Sequence, residues 1–158
     1  MTPLENRLHY PLGDQLPAPG DTLEVSPGVF WLRMGLPFAL DHINLWLLRD
    51  EVDGRSGWSA VDTCVDRAEA RAQWEQVIAG EMDGLPIVRL LATHMHPDHL
   101  GLAHWLCERW NVRLWISATD YQVARIGCMG PTGFGGDRAA EYFASHGLNS
   151  PEAVEQIK

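Results

Sequence analysis

Thr93-His94-Met95-His96-Pro97-Asp98-His99-Leu100-Gly101 places three histidines and one aspartate within the six positions from 94 to 99. An apolar run, Ile87 to Ala92, leads into this stretch, and a helix-like run, Leu100 to Trp110, leads out of it. At an extended strand end, residues two apart point to the same side, so the imidazoles of His94 and His96 can face one ion. Neutral imidazole suits zinc, and also iron or nickel. Pro97 turns the chain, and Asp98 and His99 open the next helix, where a second donor pair can face the first. The aspartate adds an oxygen ligand and a negative charge that offsets a divalent ion. The competing reading is a chance cluster of surface histidines, with Asp98 and His99 merely capping a helix. The density of ligand types at a strand-to-helix junction favours the metal.

Upstream, the pattern is a run of antiparallel strands. Thr22 to Val25 and Val29 to Met34 flank a Pro27-Gly28 turn, and Ile43 to Leu48 and Trp58 to Val61 flank polar hairpin residues ending in Asp53-Gly54. The character changes at Asp62. Asp66 is the expected N-cap of a helix to about Ala79, stopped by Gly80, with Ala70, Trp74, Val77 and Ile78 as its apolar face. Pro86 then precedes the strand Ile87 to Ala92. The helix Leu100 to Trp110 buries Leu102, Ala103, Leu106 and Trp110, and Val112 to Ile116 is a further strand. Strand, helix, strand in that order is a parallel crossover unit, and ligands in such sheets collect at the carboxyl ends of strands, where the histidines lie. Thr119-Asp120-Tyr121-Gln122 has capping-box form and predicts a helix through Ile126; another is expected over Asp137 to Ser145, and a polar helical piece from Pro151.

His94-x-His96-x-Asp98-His99, after a buried strand and before a helix containing Gly101, resembles the signature of the metallo-β-lactamase fold superfamily. Val61-Asp62-Thr63 resembles that family's Asp-Thr-Gly motif, with Cys64 in place of the usual glycine. The resemblance covers roughly residues 22 to 125 and implies an α+β fold: the N-terminal half of an αββα sandwich, a mixed sheet with antiparallel opening strands and helices on one face. It implies that His94 and His96 hold a first metal, that Asp98 and His99 hold a second, and that Asp62 braces the metal-binding loop. Asp98 is also the candidate catalytic residue. The implied cofactor is two zinc ions in the full-length protein, with iron or manganese as alternatives. A hydroxide bridging the metals would attack a carbonyl or phosphoryl centre. The expected reaction is hydrolysis of a thioester, lactone or other ester, a glyoxalase II-like thioesterase being one concrete version.

The same resemblance calls for a third histidine, a further histidine and a bridging aspartate from the second half of the fold. His146, the only histidine after His104, sits in Ala144-Ser145-His146-Gly147-Leu148, which reads as a helix stop. The chain is therefore expected to be a truncated N-terminal half that is inactive alone. The alternative is a non-catalytic or partner-completed metal-binding domain. The expected organisation is a proline-rich arm over 1–21, the half-domain over 22–125, and a glycine-rich loop with a helical segment over 126–158.

Other residues carry weaker signals. His104 is expected on a helix surface, His42 beside Asp41 and Asn44 either lines the cleft or bonds to backbone, and His9 lies in the arm. Gly130 to Gly136 lacks the lysine end of a phosphate loop. The seven tryptophans, among them Trp31, Trp46, Trp74 and Trp115, are expected mainly in the core. With 158 residues and a net charge of −9, the chain fits one acidic domain with no basic face for nucleic acid. Cys64, Cys107 and Cys128 read as free thiols, and no signal peptide or membrane span is visible, so a cytoplasmic location is expected. The expected partners are a small-molecule substrate and a second copy that covers an exposed sheet face.

Overall fold

Alternation of apolar and polar residues makes the first four strands. The computed structural model describes residues 7–129, 135–148 and 150–157. Residues 7–20 form turns and coil, without an α-helix or a strand. Next come β1 (Thr22–Ser26), β2 (Val29–Gly35), β3 (His42–Val52) and β4 (Arg55–Val61), each antiparallel to the one before. Gly28 turns β1 into β2 with a positive φ of 76°. Asp53 and Gly54 both have positive φ, 53° and 76°, and this two-residue turn lets β3 and β4 pair right up to Val52 and Arg55. The helix α1 (Ala68–Gly80) follows, then β5 (Ile87–Leu91), α2 (Pro97–Leu100), α3 (Ala103–Trp110) and β6 (Leu114–Trp115). The six strands form one mixed sheet in sequence order, β4, β5 and β6 being parallel.

The sheet faces differ. Leu32, Leu45, Ala60 and Leu90 point to one face and pack with Trp74 and Val77 of α1, and with Leu102, Ala103 and Leu106 at α3, in a single buried core. Trp58 lies in the same core, edge-on to Phe30 at 5.1 Å, its Nε1–H donating to the Met82 carbonyl at 3.0 Å. Helices thus lie on one face. On the opposite face, Leu23, Trp31, Trp46, Val61, Leu91 and Trp115 are successive cross-strand partners. Trp31 and Trp46 stack at 6.4 Å and are half-buried, and Trp115 is 59% exposed. The core expectation holds for Trp58 and Trp74; Trp31, Trp46 and Trp115 are not core residues, because strand parity turns them away from the helices.

Several boundaries differ from those expected. Asp66 does not cap α1. Arg67 occupies the cap position, and Asp66 instead takes a two-pronged hydrogen bond from Arg71 at 2.8 and 3.0 Å. The helix ends at Gly80 as expected, and Glu81 closes it by donating to the Val77 carbonyl. The expected single helix from Leu100 to Trp110 is two helices, because the Leu102 amide donates to the Cys64 carbonyl and to Thr63 Oγ1, both at 3.1 Å, outside any helical ladder. The last strand is only Leu114–Trp115.

From Ser117 the chain forms a second compact unit with α4 (Ala118–Gly127), α5 (Asp137–Ser145) and α6 (Pro151–Glu155). Ser117, not Thr119, caps α4: its hydroxyl accepts from the Asp120 amide at 3.0 Å. The expected boundary at 125/126 lies inside α4. Of the glycine-rich stretch, residues 130–134 lie outside the described residues, as do residues 1–6 of the arm.

Candidate metal centre

The parallel pair β4 and β5 brings two loops to one end of the sheet. Val61 pairs with Leu91, and the Asp62 amide donates to the Leu91 carbonyl at 2.8 Å, so Asp62 and Thr93 leave their strands side by side. The β4 loop then turns sharply through left-handed residues, Asp62 at φ 64° and Cys64 at φ 72°. Aspartate tolerates that conformation; a cysteine there is rare, since its Cβ crowds the backbone. The turn after Thr63 is thus one a glycine would take without strain.

The buried Asp62 carboxylate organises the other loop. Its Oδ1 accepts from the Thr93 amide at 2.7 Å, and Oδ2 accepts from His99 Nδ1 at 2.8 Å and from the Thr93 hydroxyl at 2.9 Å. A carboxylate oxygen has no proton to give, so His99 Nδ1 is the donor in that bond, and in a neutral ring Nε2 is then the lone pair. Thr63 holds the same histidine from behind. Its amide and its hydroxyl both donate to the His99 carbonyl at 2.9 Å, and its own carbonyl accepts from Trp74 Nε1 at 2.8 Å. Sequence reading missed Thr63 and Thr93 as site residues; the usable signal was a threonine next to each motif, in Asp62-Thr63 and Thr93-His94.

Four potential donors converge in two pairs. His94 Nε2 and His96 Nδ1 stand 3.0 Å apart, and His99 Nε2 and Asp98 Oδ2 stand 3.5 Å apart. The His94 ring lies 3.9 Å from that of His99 and 4.6 Å from that of His96. Two ligands on one tetrahedral zinc ion, at ~2.0–2.1 Å each, are about 3.3 Å apart. Both pairs therefore fit two coordination sites of an ion, in donor chemistry and in spacing. Closure is another matter: among the described residues no group of three or more His, Cys, Asp or Glu side chains is placed to hold an ion.

The remaining residues fall elsewhere. His42 opens β3 opposite Gly35, with Nδ1 on the neighbouring Asp41 carboxylate, and that hydrogen bond holds Asp41 below its ordinary range. His104 is exposed, 3.3 Å from Glu108 one helical turn on. His146 closes α5, with Nδ1 2.8 Å from the Tyr142 carbonyl and its ring against Tyr142. Cys64 is fully buried, and burial pushes its thiol up to about 11, the Asp98 carboxylate adding in the same direction. No helix among the described residues is long and apolar enough to cross a membrane.

Known proteins resemble this chain in sequence and in fold. The metallo-beta-lactamase superfamily matches residues 39–125. A crystal structure of a beta-lactamase domain protein from Burkholderia ambifaria shares 51% identity over 97% of this chain and 43% of its own, with a TM-score of 0.86. A metallo-beta-lactamase family protein from Thermus thermophilus shares 28% identity over 62% of this chain and 31% of its own, at a TM-score of 0.50. A metallo-beta-lactamase from Pontibacter korlensis, at 16% identity and a TM-score of 0.54 over 70% of this chain and 49% of its own, shows likeness of fold alone. The chain spans less than half the length of each of these structures. No curated protein matches.

Proposed function

Because the chain belongs to the metallo-beta-lactamase superfamily, we propose that it supplies the first four metal donors of a hydrolase that opens a thioester, lactone or other ester. The observation that carries this reading is the two donor pairs, His94 with His96 and Asp98 with His99, gathered at one strand end where the buried Asp62 carboxylate holds His99. In it His94 and His96 hold one divalent ion, and Asp98 and His99 hold the other. When bound, such ions supply Lewis acidity and lower the pKa of water toward about 7. The protein's part is to fix the rings. Asp62 sets the proton of His99 on the nitrogen that faces away from the ion, and Thr63 locks the His99 backbone against the core.

Zinc is the first choice, because three of the four donors are imidazoles; iron and manganese are the alternatives. A small neutral or anionic ester fits an acidic protein only where the ions offset its charge. The second reading, a metal-binding domain completed by a partner chain, is favoured by the two-plus-two donor count, since a closed site needs about four ligands per ion.

The test is metal content and turnover, measured on the 158-residue chain and on a longer protein that contains it, using thioester, lactone and aryl-ester substrates. The hydrolase reading expects near two equivalents of metal and ester turnover in the longer protein, abolished by His96→Ala with the fold retained. It expects little turnover by the 158-residue chain. A longer protein with little metal, or with unchanged turnover after His96→Ala, would sink it.

A further inference from the structure

Asp62 hydrogen-bonds His99 directly, and among the described residues no hydrogen bond joins it to the His94 ring. The Thr93 hydroxyl spans that gap. Its oxygen lies 2.9 and 3.1 Å from the two Asp62 carboxylate oxygens, and 3.1 Å from His94 Nδ1. It is also 3.2 Å from His99 Nδ1, which already has the shorter bond to Asp62. The hydroxyl has one proton, and the charged acceptor takes it. The oxygen is then left with lone pairs only, so the hydrogen bond with His94 requires the proton to sit on His94 Nδ1. His94 Nε2, 3.0 Å from His96 Nδ1, is thereby left as a lone pair.

We propose that Thr93 is a positioning residue that relays the Asp62 carboxylate to His94, so that one buried acid sets the tautomer of a histidine in each donor pair. This rests on the metal-site reading for its purpose, but not for its geometry. It also separates two roles of Thr93. The backbone amide, donating to Asp62 Oδ1 at 2.7 Å, ties the loop down; the side chain orients the ring. A valine at 93 keeps the amide, the β-branch and the approximate volume, and removes the hydroxyl with its links to Asp62 and His94 and its longer one to His99.

The experiment reads ring protons in metal-free, 15N-labelled protein at a pH where the histidines are neutral, by long-range proton–nitrogen correlation. In the unsubstituted protein His94 and His99 are both expected as the Nδ1–H form. Thr93→Val is expected to shift His94 toward the Nε2–H form and leave His99 unchanged, because His99 keeps its own bond to Asp62. Thr93→Ser is expected to restore His94. Cobalt(II) titration against a competing chelator gives the second readout, with affinity falling about 10- to 100-fold in Thr93→Val and recovering in Thr93→Ser. A His94 ring in the Nε2–H form before substitution overturns the relay, whether or not the variant folds. So does a ring that stays Nδ1–H in folded Thr93→Val. The expected tautomers together with no cobalt binding in any longer protein uphold the relay and defeat the metal reading, so the two failures are distinguishable.

Discussion

On one face of the sheet Leu32, Leu45, Ala60 and Leu90 are sealed beneath α1 and α3; on the other, Trp31, Trp46, Leu91 and Trp115 form a cross-strand row that stays half-buried or exposed. The second face is mixed: its aromatic row runs beside polar partners such as Arg33 with Asn44 and Ser59 with Asp50. Side-chain hydrogen bonds tie the helix face to the donor cluster. Trp74 of α1 bonds the Thr63 carbonyl, Thr63 holds the His99 carbonyl, and the Leu102 amide, at the start of α3, returns to Thr63. Fold stability and ligand placement therefore share one set of contacts, and substitutions on the two faces are expected to behave differently.

Trp74→Ala is the strongest way to break that distinction. The ring is fully buried, and its loss is expected to cost about 3–5 kcal/mol, enough to leave the chain largely unfolded in urea titration. Loss of less than ~1 kcal/mol would mean that the helix face is not the main core. Gly101→Ala comes next. A Cβ there would lie 2.5 Å from the Pro97 carbonyl and 2.8 Å from both the Asp66 amide nitrogen and the Cys64 carbonyl. All three are backbone atoms, so no side chain can swing aside, and the expected cost is about 1–3 kcal/mol. Because Gly101 holds α2 against the Asp62 loop, cobalt affinity should fall with stability; a destabilised protein with unaltered affinity would uncouple fold from site.

The elements that were legible in the sequence are those fixed locally. Asp53-Gly54 takes two positive φ values wherever it joins paired strands, and Ala70, Trp74 and Val77 find the core by helical period. The donor cluster was legible for the same reason, since its spacing is itself local. What sequence missed depends on contacts from far along the chain. Nothing near Leu102 says that its amide will leave the helix for Cys64 and Thr63, and nothing near Thr93 says that its hydroxyl will meet a carboxylate 31 residues earlier. Ser117 escaped notice because Thr119 offers an equally plausible cap two residues on. Composition carries no strand parity, and it is parity that turns Trp31 and Trp46 away from the helices.

The cysteines sharpen the contrast chemically. Cys64 lies under the helix face with its thiol pushed up to about 11 by burial, whereas Cys128 is exposed. Iodoacetamide at neutral pH is expected to label Cys128 quickly and Cys64 only after denaturation, as peptide mass analysis would show. The pH dependence follows in sign. The Cys64 value is raised in the folded state, so the stability it contributes is complete below the unfolded thiol value of about 8.5 and declines as pH rises toward about 11. Cys64→Ser should flatten that alkaline decline; an unchanged alkaline limb would assign it to other groups.

The smallest effect is expected on the other face. Trp46 stacks on Trp31 at 6.4 Å and is half-buried, so Trp46→Thr forfeits an aromatic pair worth about 0.5–1.5 kcal/mol and part of a ring's burial. Threonine keeps the strand preference, and the cross-strand partner Val61 retains its pairing with Leu91. A net loss of about 1 kcal/mol is expected in the 158-residue chain, with the His94 and His99 ring signals unmoved. In a longer protein where this face is covered, the same substitution is expected to cost about 3 kcal/mol or more, because the ring would then be removed from a closed core. The difference between those two urea midpoints measures how much of the second face becomes core. Equal losses in both proteins would mean that the tryptophan row is not where further sheet packs.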